Sequence, residues 1–310
     1  MPRICSNSIV ELALQKMSNG GNKVLALGGV VAMVCSEREM MSKTTKRSAE
    51  DSTPSSCLFP KRTGKVLARF SCGAASAVAT KLAIKKYGNA VEIYYNDTGS
   101  EHPDNARFIA DCELWFGMTI NTLKSERFDN IWEVFEKRRF LVSHAGAPCT
   151  SEMKRIPGDS VWNLGDIEIY GYTADERKRV EKFQANNNER IIECPLIDHN
   201  LTKEDCLGML DREGIEIPTM YKLGFRNNNC IGCVKARDSI DYWKRVRKHF
   251  PEHFARMAGY EREFSDKFTL NRVGPDKSPV YLDEIEEGDP KGSDPNIQCG
   301  LFCIAESDNL

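Results

Sequence analysis

The sequence has no hydrophobic run long enough to cross a bilayer. Its longest apolar stretch, Val24 to Cys35, covers about twelve residues and includes two glycines, against the ~20 that a spanning helix needs. That stretch follows an N-terminus containing Glu11, which argues against a secretory signal. An excess of one charge is missing as well. Lys and Arg number 43 and Asp and Glu 45, for a net charge of −2, so the chain as a whole carries no nucleic-acid footprint. The Gly-Lys-Ser/Thr ending of a Walker loop is absent, and so is the G-x-G-x-x-G of dinucleotide folds. There is one CxxC, where a zinc ribbon needs two such pairs. These absences leave a cytoplasmic enzyme with no membrane partner as the expected class.

What is present begins with 310 residues, 41% hydrophobic and 28% charged, enough for one large domain with extensions. Twelve cysteines in a chain this long, with a CxxC and no signal peptide, point to metal or redox use rather than a disulfide framework. Residues 1–62 differ from the rest. Met41 to Arg62 is polar, rich in Ser, Thr and Lys, and contains Pro54 and Pro60, which is linker composition. The expectation is a poorly ordered extension over 1–62, with Met40 or Met41 as an alternative start. A nucleotide-binding domain over 63–236 follows, and then 237–310 as a C-terminal helix and mobile tail.

The most informative stretch is Lys65 to Tyr87. The apolar run Val66-Leu67-Ala68-Arg69-Phe70 leads into Ser71-Cys72-Gly73-Ala74-Ala75-Ser76 and then an Ala-rich run to Tyr87. This reads as a buried strand, a tight loop and a helix. Small residues let backbone N–H groups approach an anion, and the helix start adds unpaired donors and partial positive charge. Ser71, Gly73 and Ser76 are therefore candidate phosphate or sulfate contacts; a turn small only for packing is the other reading. Further strands are expected near 90–95, 118–123, 167–172 and 190–194. Helices are expected near 104–115, 129–138, 174–184, 202–212 (Thr202 as N-cap) and 239–253. Alternation of this kind implies a parallel sheet covered on both faces, with ligands outside the carboxyl ends of the strands at the switch in strand order.

The spacing Ser71-x-Gly73-x-x-Ser76 resembles the PP-loop of ATP pyrophosphatases and sulfonucleotide reductases, S-G-G-x-D-S. Cys72 stands where that loop has its first glycine and Ala75 where it has an acid. Four further segments follow in the order of the phosphoadenosine phosphosulfate (PAPS) reductase family. Asp97-Thr98-Gly99-Ser100-Glu101-His102-Pro103 resembles its D-T-G-x-E-x-P, and Cys149 to Pro157 its C-T-x-x-x-K-x-x-P. Gly171 to Arg177 is similar to its glycine–acid–arginine element, and Pro195-Leu196-Ile197-Asp198 to its P-L-x-D; Cys230-Ile231-Gly232-Cys233 closes the core. The likeness runs from about Lys65 to Ala236. It implies an α/β Rossmann-like sandwich of the adenine nucleotide alpha-hydrolase type. It also implies nucleotide contacts from Ser71, Gly73, Ser76, Asp97, Thr98, Gly99, Lys154, Gly171 and Arg177.

Cys149 precedes the CxxC by about eighty residues, a spacing similar to that of the iron–sulfur APS reductases, where a Cys-Cys pair stands first. The resemblance implies a [4Fe–4S] cluster on Cys149, Cys230 and Cys233; zinc, or three unrelated reduced thiols, are the other readings. Gln298-Cys299-Gly300-Leu301-Phe302-Cys303 resembles the family's E-C-G-L-H tail, whose cysteine attacks the sulfur of the sulfonucleotide. The expectation is a reductase acting on PAPS or APS through Cys299, with a thioredoxin- or glutaredoxin-type reductant and a homodimeric assembly. The alternatives are a PP-loop sulfurtransferase that uses ATP and acts on tRNA or DNA, and a degenerate nucleotide-binding module. Tyr221 to Asn229 resembles the family's tyrosine–glycine loop and is expected to pack the cysteines under the substrate.

Overall fold

Val66–Phe70 is buried along its whole length, because it forms the middle of a sheet rather than an edge. In the computed structural model, which describes residues 64–143, 146–264 and 278–292, this strand is β1. It pairs in parallel with β2 (Val91–Asn96) on one side and β4 (Ile167–Ile169) on the other. Strand β3 (Ile120–Leu123) extends the β2 edge and β5 (Ile191–Glu193) the β4 edge. The order is β3-β2-β1-β4-β5, all parallel. The expected α/β Rossmann-like class is what the chain adopts. The strand order reverses between β1 and β4, so a crevice opens at their carboxyl ends. That central pair is closed by Lys65 N donating to Asp166 Oδ1 at 2.8 Å across 101 residues.

Helix α1 (Ala74–Tyr87) has the expected bounds. It is followed by α2 (Asn105–Phe116), α3 (Ile131–Arg138, capped by the Asn130 side chain) and α4, residues 148–159. Helix α4 opens as an α-turn, widens to a π-turn over Ser151–Arg155 and closes as an α-turn. Next come α5 (Arg177–Ala185), α6 (Pro195–Asp198), α7 (Lys203–Arg212) and α8 (Thr219–Lys222). Thr202 caps α7, its hydroxyl accepting from Asp205 N. The single helix expected over 239–253 is two: α9 (Ile240–His249) and α10 (Pro251–Phe264). Phe250 between them has φ −140° and ψ 62°, since a residue before proline is driven out of the helical region.

Successive residues of a strand face opposite layers, and β1 shows the consequence. Phe70 packs on Phe108 and Phe116 of α2. Arg69 projects the other way, where its Nη2 donates to Gly158 O of α4 at 3.1 Å. On the far side of α4 an apolar layer joins Trp132 and Phe135 of α3, Met153 of α4, the Cys230–Val234 loop, and Trp243, Val246, Phe254 and Met257 of α9 and α10. The described part of 237–310 thus completes the core. Among the described residues no helix is long and apolar enough to cross a membrane. The 1–62 extension, His144 and the tail with Cys299 and Cys303 lie outside the described residues.

Candidate functional site

The loop after β1 is held shut by one hydroxyl. Ser76 Oγ accepts from Ser71 N (3.0 Å) and Gly73 N (3.3 Å), donates to Gly73 O (2.9 Å), and meets Ser71 Oγ at 3.1 Å. Cys72 takes the left-handed conformation, φ +57°, where the resembling motif has glycine. Its carbonyl accepts from Asn228 Nδ2 at 2.6 Å, its side chain is fully buried, and burial pushes its thiol well up. Tyr221 OH accepts from Ala74 N at 3.2 Å and lies over the start of α1; burial pushes this phenol up to about 12.

The end of β4 meets this loop directly. A Cβ on Gly171 would come within 2.7 Å of Ser76 Cα and N, so only glycine lets the two segments touch. An open cleft adjoins this contact. Ser71, Gly73, Ser76, Lys154 and Gly171 all line it. So do several residues without an assigned contact in the sequence reading: Arg69, Asn96, Lys203, Tyr221 and Asn228. Its charged lining is Arg69, Lys154 and Lys203 against Glu101, which favours an anionic occupant.

Lys154 rides on the π-turn of α4, its side chain 11% exposed, with Nζ 3.7 Å from Glu101 Oε1. Glu101 also accepts from Tyr95 OH (2.8 Å) and Thr98 N (3.2 Å). Lys203 Nζ donates to Arg226 O and Asn227 Oδ1. Burial, with Arg226 acting in the same direction, lowers its ammonium to about 8.

Four expected contacts lie behind or beside the cleft instead of lining it. Asp97 pairs with Lys124 at 2.9 Å and accepts from Gly99 N at 2.8 Å. Gly99, at φ +59°, leaves no room for a Cβ beside Asp129 O. Thr98 is buried, with Oγ1 3.1 Å from Cys230 Sγ. These three shape the loop that presents Glu101. Arg177 is exposed and donates to Ile197 O of α6 at 3.4 Å.

Cys230 and Cys233 are buried in the apolar layer, and Cys149 packs against it. Ile231 N donates to Ser100 O at 2.9 Å, and Cys230 Sγ lies 3.9 Å from Glu101 Oε1. Among the described residues no three His, Cys, Asp or Glu side chains are grouped as a metal centre requires. Cys149, Cys230 and Cys233 thus share one apolar layer.

A signal for Arg69 was present in the sequence: a charge inside an otherwise apolar, buried strand needs a partner. Lys203, next to a capping threonine, reads as an ordinary helix surface residue, and only the fold turns it inward.

Comparison with known proteins adds three observations. The family model described as the phosphoadenosine phosphosulfate reductase domain matches residues 65–237. An uncharacterized protein of Methanocaldococcus jannaschii is 23% identical over 222 residues, covering 66% of this chain and 43% of that protein. The chain therefore spans less than half the length of that relative. The crystal structure of phosphoadenylyl-sulfate (PAPS) reductase from Candida auris, a phosphate complex, aligns over 54% of this chain and 82% of that chain at 13% identity, with a TM-score of 0.38.

Proposed function

The chain belongs to the phosphoadenosine phosphosulfate reductase domain family, and from that premise we propose that it binds an adenosine sulfonucleotide, PAPS or APS, in the β1–β4 cleft and reduces it to sulfite. The observation that carries the reading is the convergence of the Ser71–Ser76 loop with Arg69, Lys154 and Lys203 on one cleft at the strand switch. The first-turn N–H groups of α1 and three cationic side chains suit a ligand with more than one anionic group.

In this reading the loop and cations fix the phosphosulfate. The Cys299 thiolate attacks sulfur, a Cys–S bond forms, and the S–O bond breaks with its electron pair leaving on the nucleotide phosphate. One thiol of a thioredoxin- or glutaredoxin-type dithiol then attacks the Cys299 sulfur, and sulfite departs with the S–S electron pair, leaving a mixed disulfide; the second thiol attacks the reductant sulfur of that bond, Cys299 leaves as its thiolate, and the dithiol ends as a disulfide. No step passes through Cys149, Cys230 or Cys233.

A second reading rests on the position of Cys230. Its thiol adjoins Glu101, a residue of the cleft wall, which suits a sulfurtransferase that activates its target with ATP. One assay separates the two. The protein is incubated with PAPS, APS or ATP, a dithiol reductant and, for ATP, bulk tRNA. Sulfite from a sulfonucleotide supports the reductase. Pyrophosphate from ATP without sulfite supports the transferase, and neither product rejects both.

A further inference from the structure

Arg69 is a buried cation with one nitrogen left over. Its side chain is 3% exposed. Nε donates to Glu168 Oε1 at 2.8 Å, and Nη2 reaches the same oxygen at 2.6 Å and Gly158 O at 3.1 Å. Nη1 is buried and has no hydrogen-bond partner. A buried, unpartnered charged donor is costly, and Arg69 lines the cleft.

The surrounding charges do not use Arg69 up. Glu168, fully buried, also accepts from Arg190 Nη1 at 2.9 Å and Tyr170 OH at 3.2 Å. One carboxylate therefore serves two guanidiniums, with Asp159 taking the other side of Arg190 at 2.7 Å. Asn228, another residue of the lining, complements this pattern. Its Nδ2 is spent on Cys72 O and Asn105 Oδ1, while Oδ1 is buried without a donor. Two residues of the lining thus carry a buried donor and a buried acceptor without partners, which an occupant bearing both an anion and a hydroxyl or amine would complement.

The two faces of β1 separate the anion contacts. The Ser71–Ser76 loop opens on the α1 start, while Arg69 points to the α4 side, which also carries Lys154. We propose that Arg69 Nη1 holds a second anionic group of the bound nucleotide, a phosphate or sulfate distinct from the one at the Ser71–Ser76 loop. It thereby makes the site selective for nucleotides with two anionic groups over nucleoside monophosphates. This rests on the nucleotide reading of the cleft.

The test is calorimetric titration of the full chain with AMP, ADP, APS and adenosine 3′,5′-bisphosphate, in wild type, Arg69→Lys and Arg69→Met. Lysine keeps a cation for Glu168 but has no second arm, and so remains informative should the methionine variant not fold. The expected result for Arg69→Lys is AMP affinity within twofold of wild type and at least a tenfold loss for the two-anion ligands. A loss confined to ADP and APS assigns the second anion to the 5′ chain; a loss confined to the bisphosphate assigns it to the ribose. Wild-type affinity for all four ligands, or an equal loss for AMP, overturns the role of Arg69 and leaves the nucleotide reading standing. A wild-type protein that binds none of the four overturns both.

Discussion

Gly171 and Ser76, 95 positions apart by their numbering, touch backbone to backbone: a Cβ at 171 would lie 2.7 Å from both Cα and N of Ser76. This contact sets the width of the cleft at its base, because it joins the end of β4 to the first turn of α1. The Gly171→Ala variant is expected to lose about 3 kcal/mol of stability, the cost of overpacking against backbone that cannot yield. It should also lose at least tenfold in ADP affinity. Thermal melts and calorimetry on the same sample check both, and a variant that binds ADP normally would show that the contact does not position the loop.

Ser76→Ala tests the loop from its other side. The hydroxyl satisfies two backbone donors and binds one backbone acceptor within six residues. Removing it leaves buried polar groups without a partner, at about 1–3 kcal/mol. Urea unfolding should show that loss, and nucleotide binding should weaken as the loop loosens. Ser71→Ala should be milder, since the Ser71 hydroxyl bonds only to Ser76 Oγ among the described contacts.

Cys72 poses strain against burial. Its left-handed backbone, φ +57°, costs a residue with a Cβ about 1–2 kcal/mol. Both Cys72→Ala and Cys72→Gly remove the buried thiol, but only glycine relieves the backbone. Glycine's extra freedom in the unfolded chain offsets ~0.4–1 kcal/mol of that gain. Cys72→Gly is therefore expected to be the more stable of the two, by up to about 1.6 kcal/mol. Equilibrium denaturation gives the order directly, and the reverse order would mean that the native loop carries no strain.

Lys203 gives the cleft a pH response. Burial lowers its ammonium from 10.5 to about 8, with Arg226 adding to the effect and Glu176, Glu204 and Asp175 opposing it. Below pH 8 the lysine is charged and attracts an anion, so ADP affinity should fall as pH rises from 7 to 9, with a midpoint near 8. In Lys203→Met that portion of the pH dependence should vanish. The sign for stability is opposite. Between about 8 and 10.5 the unfolded chain holds the proton more tightly than the folded one, so the unliganded protein gains stability as pH rises through that window. Melting curves of wild type and variant between pH 7 and 10 should converge or diverge accordingly.

The parts of the fold that depend on local chemistry were legible in the sequence. Small residues from Ala74 fix the start of α1, Thr202 caps α7, and the apolar run before Ser71 is the central strand. Helix α4 was not legible, because Pro148 and Pro157 within twelve residues do not read as helix and the π-turn between them has no sequence signature. The break at Phe250 was readable from Pro251, but the strong amphipathic pattern around it hid the signal. At the site, the loop, Lys154 and Gly171 were found by motif. Asp97, Thr98, Gly99 and Arg177 were also expected at the nucleotide; they do not line the cleft, and their neighbours are Lys124, Cys230, Asp129 and the Ile197 carbonyl. A motif fixes which residues occur together, whereas their partners decide which of them face the ligand.

The pairing of β1 with β4 across 101 residues also imposes a schedule on synthesis. The Ser71–Ser76 loop leaves the ribosome well before Gly171 exists to meet it, an interval of about 5–20 s at ~5–20 residues per second. Through that interval the nascent chain has half a cleft, with Arg69 made and its counter-ion Glu168 not yet translated. Any ligand of the cleft therefore has no complete site to select until β4 has docked, and its binding would then favour only the finished domain.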